Sequence, residues 1–142
     1  MIPPVLLDNS AWARLNDAGL SENRKRELGE AAESLRFMVC LPFLLEAGFS
    51  ARDAVEHNAL MRRLLVMPHV EIDAEVEERA IDVQSQLASV GRHRVPPSDV
   101  LIAVLGDRHG IGVLHYDRHY DLLAEQTDLT FESVWLAESG SL

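Results

Sequence analysis

The sequence has little of several residue types, and each scarcity excludes a class of protein. Cys40 is its single cysteine, so an internal disulfide and a cysteine-based zinc site are both excluded. No apolar run approaches the roughly 18 residues of a membrane span, and the first residues lack the basic segment of a signal peptide. These absences predict a protein of the reducing cytoplasm with no membrane span.

Positive charge is also scarce, since 13 basic residues face 23 acidic ones and the formal net charge is −10. An excess of negative charge argues against non-specific nucleic-acid binding through a basic surface. It leaves open a nuclease whose acidic site is neutralised by metal ions. The length of 142 residues and the 47% hydrophobic content predict one domain, residues 1–142, with its own core. We expect the tail from about residue 137 to fray.

Short apolar runs alternate with amphipathic segments along the chain. The runs predict strands over residues 4–7, 37–41 and 113–116, a small strand or connector over residues 70–72, and an edge strand around Phe131, Val134 and Trp135. The other segments predict helices over residues 9–15, 21–36, 43–49, 51–66, 73–90, 100–105 and 118–125, with Gly91 ending the fifth. This alternation favours an α/β fold with a small, mainly parallel sheet and helices on both faces.

Four acidic residues occupy unusual places in this pattern. Asp8 and Asp117 directly follow apolar strands, Asp99 opens an apolar helix, and Glu46 interrupts an apolar segment. In an open parallel sheet the ligand crevice lies outside the carboxyl ends of the strands, so Asp8 and Asp117 would point into it. Taken singly, each acid also fits a structural role, as a helix cap, a partner of a helix dipole or a solvated residue. Because all four lie at the end of an apolar element or within an apolar run, we favour a common site for them.

Clustered carboxylates need a positive partner. Two unit charges about 4 Å apart repel by about 4 kcal/mol at an effective dielectric constant near 20. A divalent cation removes this repulsion, and oxygen ligands without cysteine suit Mg²⁺ or Mn²⁺. Such an ion orients a phosphodiester and lowers the pKa of a bound water, whose proton a neighbouring carboxylate can take. The residues therefore predict metal-assisted phosphodiester hydrolysis.

In their order and spacing, the acids resemble those of PIN-domain ribonucleases, and more closely those of the VapC toxins of bacterial VapBC toxin–antitoxin pairs. The resemblance runs from residue 5 to about residue 125 in four segments: Leu6-Leu7-Asp8-Asn9-Ser10-Ala11, Leu41-Pro42-Phe43-Leu44-Leu45-Glu46 with Gly48-Phe49-Ser50-Ala51-Arg52, Pro97-Ser98-Asp99-Val100-Leu101-Ile102-Ala103, and Val113-Leu114-His115-Tyr116-Asp117-Arg118-His119-Tyr120-Asp121. Each segment alone is a weak signal, whereas four in this order and spacing are specific.

The resemblance implies a three-layer α/β/α sandwich, dependence on Mg²⁺ or Mn²⁺, and an RNA substrate, with tRNA or rRNA as the expected class. It assigns the acidic quartet of the family, catalytic and metal-binding, to Asp8, Glu46, Asp99 and Asp117. Asp8 and Asp99 are expected to contact metal directly, and Glu46 and Asp117 either directly or through water. A cognate VapB-like antitoxin and a homodimer are implied as well.

Polar residues near the quartet are candidates for substrate binding. Ser10 matches a small polar residue near the first acid, where it would position a carboxylate or water, or cap a helix. A cationic rim of Arg92, His93, Arg94 and Arg118 would hold RNA phosphates, although an ordinary exposed loop explains the same residues.

The pattern predicts the roles of three further residues less clearly. His115 stands two residues before the fourth acid, where many relatives carry threonine or serine. Asp121 lies one helical turn after Asp117, and we interpret it as a solvated helix residue rather than a fifth acid of the site. Cys40, within an apolar strand, is expected to be an inert core thiol.

Two other functions remain open on the sequence alone. One is a housekeeping PIN nuclease that processes RNA without an antitoxin, and the other is a PIN-like module that binds RNA or protein without catalysis. The intact quartet argues against the second. The apolar surface for an antitoxin or a second copy is expected around Trp12 and over residues 60–66.

Overall fold

The computed structural model describes residues 1–92 and 94–142, and within them the chain forms five strands and seven helices. The strands are β1 (Val5–Leu7), β2 (Phe37–Cys40), β3 (His69–Val70), β4 (Gly112–His115) and β5 (Ser133–Trp135). The helices are α1 (Asn9–Trp12), α2 (Glu22–Glu33), α3 (Leu41–Phe49), α4 (Ala54–Leu64), α5 (Ala74–Ser89), α6 (Pro97–His109) and α7 (His119–Gln126). The predicted alternation of strands and helices is confirmed.

The strands form one parallel sheet in the order β3-β2-β1-β4-β5. β1 is central, since Val5 pairs with Phe37 on one side and with Gly112 on the other. The chain moves to one side of β1 for β2 and β3, and then crosses to the other side for β4 and β5. The strand order therefore reverses between β1 and β4, and a crevice opens at the carboxyl ends of strands at such a point.

The helices cover both faces of this sheet. Connections between parallel strands are right-handed, so the helices after β1 and β2 lie on one face and those after β3 and β4 on the other. α6 packs against β1 and β4 and also contacts α5 and α7. Its residues Ile102, Ala103, Val104 and Leu105 are buried, which makes it a central element of the core. The predicted three-layer α/β/α sandwich is confirmed.

Local sequence sets the ends of the helices that lead to the site. Gly91 has a φ of +71° directly after α5, and the N–H of Arg92 donates to the carbonyl of Leu87 at 2.7 Å. This left-handed end suits glycine, and the predicted stop is confirmed. α6 is longer than predicted at both ends: Pro97 is tolerated in the first turn, where its missing N–H is not needed, and the helix continues to its C-cap Gly110, whose φ is +65°.

Two other expectations concern the core and the tail. Cys40 is fully buried, and burial raises the pKa of its thiol to about 12, which agrees with the predicted inert thiol. In the tail, the backbone N–H of Leu142 donates to the Tyr116 hydroxyl at 2.8 Å. Among the described residues, no helix has the length and apolarity needed to cross a bilayer.

Candidate active site

The crevice between β1 and β4 collects the four predicted acids. Asp8 directly follows β1 and is 3% exposed, and Asp99, in the first turn of α6, is 5% exposed. Asp117 is half-buried just after β4. Glu46 lies on an exposed side of α3 at the rim. Four separate elements therefore contribute one carboxylate each to the same edge of the sheet.

Three hydrogen bonds hold the Asp8 carboxylate in place. The Tyr120 hydroxyl donates to Asp8 Oδ1 at 2.6 Å, while the Ser10 backbone N–H donates to Oδ2 at 2.9 Å and the Ser10 hydroxyl donates to the same oxygen. The Ser10 Oγ in turn accepts from the Tyr116 N–H at 2.9 Å, which joins the end of β4 to the end of β1. Asp8 is also the N-cap of α1, so its structural role and its place in the cluster coexist.

Asp99 and Asp117 meet at the imidazole of His119. Its Nδ1 lies 3.0 Å from Asp99 Oδ2 and 3.2 Å from Asp117 Oδ1. The backbone N–H of His119 donates to the same Asp117 oxygen at 3.0 Å. The Tyr120 hydroxyl lies 3.5 Å from Asp99 Oδ1 and thus links Asp99 with Asp8. The first turn of α7 therefore contacts three of the four acids.

Glu46 joins the cluster through its electrostatics more than through direct contact. The Ser98 hydroxyl donates to Glu46 Oε1 at 3.2 Å, which ties α3 to the start of α6. The pKa of Glu46 is raised by partial desolvation first and then by the negative charges of Asp8 and Asp117. The negative charges of the other acids therefore raise the pKa of Glu46, while its carboxylate stays accessible to solvent.

Asp99 shows most clearly what crowding does to these carboxylates. Burial raises the pKa of Asp99 to about 7, the charge of Asp8 adds to this rise, and the hydrogen bond with His119 opposes it. An acid that resists ionisation near neutral pH is an acid whose negative charge lacks a sufficient positive partner. The protein donors around the cluster leave this electrostatic demand only partly met.

These residues fit a divalent cation. One oxygen of Asp99, one oxygen of Asp117 and a ring nitrogen of His119 all lie within 4.8 Å of one another. Carboxylate oxygens are the ligands that Mg²⁺ and Mn²⁺ prefer, and a cation would favour the ionised form of Asp99. The Tyr120 hydroxyl lies between Asp8 and Asp99, and the charge of Asp8 is close enough to Asp99 to raise its pKa.

Sequence reasoning missed three residues of the site: Ser98, His119 and Tyr120. Each is adjacent to a predicted acid or within three residues of one. Spacing gave a usable signal for Tyr120, since a residue three positions after Asp117 returns to the same side of a helical turn. The direction of the His119 ring depends on how α7 packs against α6, which no local pattern specifies.

His115 fixes the peptide of Asp117 through a buried network. Burial lowers the pKa of His115 to about 4, so the ring is neutral near pH 7. Its Nδ1 accepts from the Asp117 N–H at 3.1 Å and its Nε2 lies 2.7 Å from Ser133 Oγ. The Ser133 hydroxyl and the Trp135 Nε1 donate to Asp121 at 2.7 and 2.9 Å. The interpretation of Asp121 as a solvated residue was therefore wrong, because its carboxylate accepts from the edge strand β5.

The predicted basic residues line a cleft beside the acids. Its volume is about 530 Å³, and its lining includes Arg92, Arg94, Arg118 and His119. All three arginines are exposed. His93, the other residue of the predicted cationic rim, lies outside the described residues. Through His119 the cleft borders the acid cluster, and Asp121 and Glu125 add negative charge to its lining.

The exposed apolar surface differs from the one expected. Trp12 is half-buried and packs edge-on against Phe43, with 6.2 Å between ring centroids. Within residues 60–66, only Leu65 and Val66 are exposed among the apolar side chains. A longer stripe runs along α3 at intervals of four residues. Its members Leu41, Leu45 and Phe49 are 50%, 65% and 91% exposed.

Similarity to known proteins agrees with this geometry. A family model of the PIN domain matches residues 5–126. The chain is 33% identical to Ribonuclease VapC51 of Mycobacterium tuberculosis over 137 residues, which cover 96% of both chains. It is also 33% identical to Ribonuclease VapC18 of the same organism over 139 residues, covering 96% of this chain and 97% of the other.

Solved structures share the fold. A chain of DNA-bound VapBC from Salmonella typhimurium matches with a TM-score of 0.71 at 13% identity, over 96% of this chain and 100% of that one. A chain of VapBC-5 from Mycobacterium tuberculosis matches with a TM-score of 0.63 at 17% identity, over 92% of this chain and 97% of that one. Fold and site thus define a PIN domain. The chain belongs to the PIN-domain family, in its group of VapC ribonucleases, and the predicted resemblance is confirmed.

The raised pKa of Asp99 makes a prediction for the metal-free protein. Between about pH 4 and pH 7 the folded state binds a proton that the unfolded state has released, so the free energy of unfolding falls as pH rises. Asp99→Asn removes this titration. In chelator, the variant should therefore gain stability relative to wild type from about pH 4.5 to about pH 7.5, as measured by urea unfolding.

Glu78→Gln, on the exposed side of α5, serves as the control and should show no such gain. A stability difference between Asp99→Asn and wild type that stays constant with pH would contradict the assignment.

Proposed function

We propose that this chain is a metal-dependent endoribonuclease and the toxin of a type II toxin–antitoxin pair in the cytoplasm. One observation carries the proposal: Asp8, Asp99 and Asp117 converge at the strand-order reversal of a PIN domain whose relatives are named VapC ribonucleases. The raised pKa of Asp99, which comes first from burial and then from the charge of Asp8, supports a cation at this point, since a cation would favour the ionised carboxylate.

Asp8, Asp99 and Asp117 would hold the ion, with Glu46 in contact directly or through water. When bound, Mg²⁺ or Mn²⁺ supplies charge stabilisation for the phosphodiester and a more acidic water. Ser10 and Tyr120 hold the Asp8 carboxylate by donating to its two oxygens, so the side chain is oriented before the substrate arrives. Orientation in advance lowers the entropy lost at the reacting centre.

Glu46 is suited to accept a proton from the attacking water. It is exposed at the rim, and its raised pKa makes its carboxylate a stronger base than an ordinary glutamate. Ser98 donates to Oε1 and so fixes the side chain. The proton would pass to the carboxylate as the water oxygen forms its bond to phosphorus. The phosphorus–oxygen bond to the leaving group would break, and the leaving oxygen would take a proton from solvent.

RNA would reach the acids along the arginine-lined cleft. Arg92, Arg94 and Arg118 would bind phosphates flanking the cleaved bond, since guanidinium groups pair with phosphate oxygens. Phosphate contacts of this kind would position the RNA without recognising its base sequence. The substrate class, tRNA or rRNA, would then depend on the shape of the RNA around the cleft.

The antitoxin would cover the α3 stripe. Leu41, Leu45 and Phe49 form an apolar row on the same helix as Glu46, so a VapB-like segment bound there would lie at the mouth of the site. Exposed apolar rows of this length mark interaction surfaces. The homodimer needs a second surface, for which Leu65 and Val66 after α4 are the exposed candidates from the expected segment.

Two alternatives remain distinct from this proposal. A housekeeping PIN nuclease would cleave RNA with the same acids but would have no antitoxin for the α3 stripe. A catalytically inactive module would bind RNA or protein without cleaving, and the assembled acid cluster argues against it. RNA cleavage and antitoxin binding separate the three.

The first prediction from this proposal concerns RNA cleavage. Purified protein should cut total RNA into discrete fragments with Mg²⁺ or Mn²⁺ and not in chelator. Asp8→Asn should lose about a hundredfold or more of this rate, since even residues that only support metal ligands cost about ten- to a hundredfold. Glu78→Gln is the matched control and should cleave as wild type does.

Sequencing the fragment ends would identify the RNA class. Cleavage that persists in chelator, or that survives Asp8→Asn, would contradict the proposed site. A folded, metal-binding wild type that cleaves no RNA of any class would favour the binding module.

The second prediction concerns the cleft. In an Asp8→Asn background, which keeps the RNA intact, Arg92→Ala/Arg94→Ala should weaken RNA binding and flatten its salt dependence. Each lost phosphate contact on single-stranded RNA lowers the slope of log K against log salt by about 0.7, so the pair should lower it by about 1.4.

Arg26→Ala/Arg52→Ala removes the same charge from exposed sites outside the cleft. It should leave the slope near that of the Asp8→Asn parent. Equal effects of the two pairs would mean that only overall charge matters and that the cleft has no role.

The third prediction concerns the antitoxin. Leu45→Ser/Phe49→Ser should weaken inhibition by the antitoxin encoded next to this chain by about tenfold or more, because buried apolar anchors dominate interface energy. RNA cleavage by the free variant should be unchanged. Leu35→Ser/Ile81→Ser changes two apolar residues that are 61% and 72% exposed and lie outside α3, and this control should be inhibited normally.

Hydrogen exchange on the complex provides an independent measurement, with protection expected along α3. Protection at Trp12 and residues 60–66 with α3 unprotected would restore the surface expected from sequence. The absence of any antitoxin gene beside this one would favour the housekeeping nuclease.

A further inference from the structure

His119 stands where the acid cluster meets the arginine-lined cleft. Its Nδ1 lies 3.0 Å from Asp99 Oδ2 and 3.2 Å from Asp117 Oδ1, and its ring also lines the cleft. The acidic quartet gives this residue no role. Two explanations fit a histidine here: a cationic partner for the carboxylates, or a nitrogen ligand for the ion that they hold.

Two hydrogen bonds fix the backbone that carries the His119 imidazole. The His119 N–H donates to Asp117 Oδ1 at 3.0 Å, and the next residue, Tyr120, is fully buried with its hydroxyl on Asp8. The first turn of α7 is therefore anchored to two acids. Its position leaves the His119 side chain 35% exposed, whereas that of Asp99 is 8% exposed, so the ring reaches from the buried Asp99 carboxylate to the solvent-accessible cleft.

The donor spacing suits one ion. The nitrogen and the two carboxylate oxygens lie within 4.8 Å of one another. Metal bonds of about 2.0–2.2 Å place two ligand atoms up to about 4.4 Å apart, so small side-chain rotations bring all three donors onto one centre.

We propose that His119 binds the metal ion through Nδ1 and that this mixed nitrogen–oxygen site prefers Mn²⁺ to Mg²⁺. The proposal rests on the proposed metal-dependent function and concerns which ion that function uses. Mg²⁺ prefers oxygen ligands and gives up its waters reluctantly, whereas imidazole suits first-row transition ions. A single histidine among carboxylates thus changes the choice of ion without changing the acids.

The two explanations for His119 predict opposite effects of its removal. A cationic imidazole competes with a bound cation, so His119→Gln would tighten Mn²⁺ and Mg²⁺ binding alike. A ligating imidazole contributes a bond that favours Mn²⁺, so the same change would weaken Mn²⁺ binding and leave Mg²⁺ binding nearly unchanged. His119→Asp converts the site to oxygen donors only and should shift its preference toward Mg²⁺.

The experiment uses the full chain stripped of metal, with Mn²⁺ and Mg²⁺ as the probes. Dissociation constants come from electron paramagnetic resonance of free Mn²⁺, with Mg²⁺ measured by competition. We expect wild type to bind Mn²⁺ more tightly than Mg²⁺, and His119→Gln to lose about tenfold or more in Mn²⁺ affinity. His109→Gln, an exposed histidine at the end of α6, should bind both ions as wild type does.

Electron spin echo modulation reports the ligand directly, because a coordinated imidazole nitrogen modulates the Mn²⁺ echo. The modulation should be present in wild type and His109→Gln and absent in His119→Gln and His119→Asp. Thermal melts in chelator check that each variant is folded, and His119→Asn replaces His119→Gln if that variant is not.

A bound Mn²⁺ without nitrogen modulation in wild type would overturn the proposal, as would unchanged or tighter Mn²⁺ binding in His119→Gln. RNA cleavage that depends on Mg²⁺ and on Asp8 while Mn²⁺ does not bind would overturn the role of His119 alone. Failure of both ions to bind wild type would overturn the proposed metal-dependent function together with it.

Discussion

Repulsion among carboxylates at the carboxyl ends of β1 and β4 is the constraint to which the rest of the site responds. Pairs of such charges about 4 Å apart cost several kcal/mol unless something positive or hydrogen-bonding intervenes. The chain meets part of this cost with donors from three directions: Ser10 after β1, Ser98 at the start of α6, and His119 with Tyr120 from α7. Burial first, and the charge of Asp8 second, still raise the pKa of Asp99 against the hydrogen bond from His119, so these donors do not offset the cost fully. A buried acid cluster that remains short of positive charge is suited to bind a cation.

The sequence was informative where chain position alone determines where a side chain lies. A residue that directly follows a parallel strand lies at the carboxyl edge of the sheet, whatever the details of packing. Asp8 and Asp117 were located on that ground, and the strands before them were found because runs such as residues 113–116 are apolar and short. Asp99 was located by a helix start, which Pro97 marks, and the stop at Gly91 was likewise local. Fold class and acid cluster thus followed from short-range patterns and from the resemblance that they carry.

Features that depend on how one element packs against another were not accessible in this way. The ring of His119 faces Asp99 because α7 docks against α6, and Asp121 turns to Ser133 and Trp135 because β5 extends the sheet beside β4. The apolar segment 41–49 has enough hydrophobic residues to be read as core on every side. Only the packing of α3 decides that Leu44 is buried while Leu45, its neighbour, is 65% exposed. Composition therefore could not separate the core from a partner surface.

The net charge of −10 bears on how an anionic substrate reaches an acidic site. At physiological ionic strength the Debye length is about 8 Å, so acids on distant faces are screened and a phosphate in the cleft responds to its immediate neighbours. Those neighbours are of both signs, because the arginines Arg92, Arg94 and Arg118 line the cleft together with Asp121 and Glu125, and His119 links it to the acid cluster. A cation among the carboxylates converts a repulsive wall into an attractive one. Cation binding and RNA binding must then strengthen each other by the same factor, since such coupling is reciprocal. Under the proposed function, the arginines would determine where the RNA backbone lies, and the charge state of the acid cluster would determine whether the scissile phosphate can approach it.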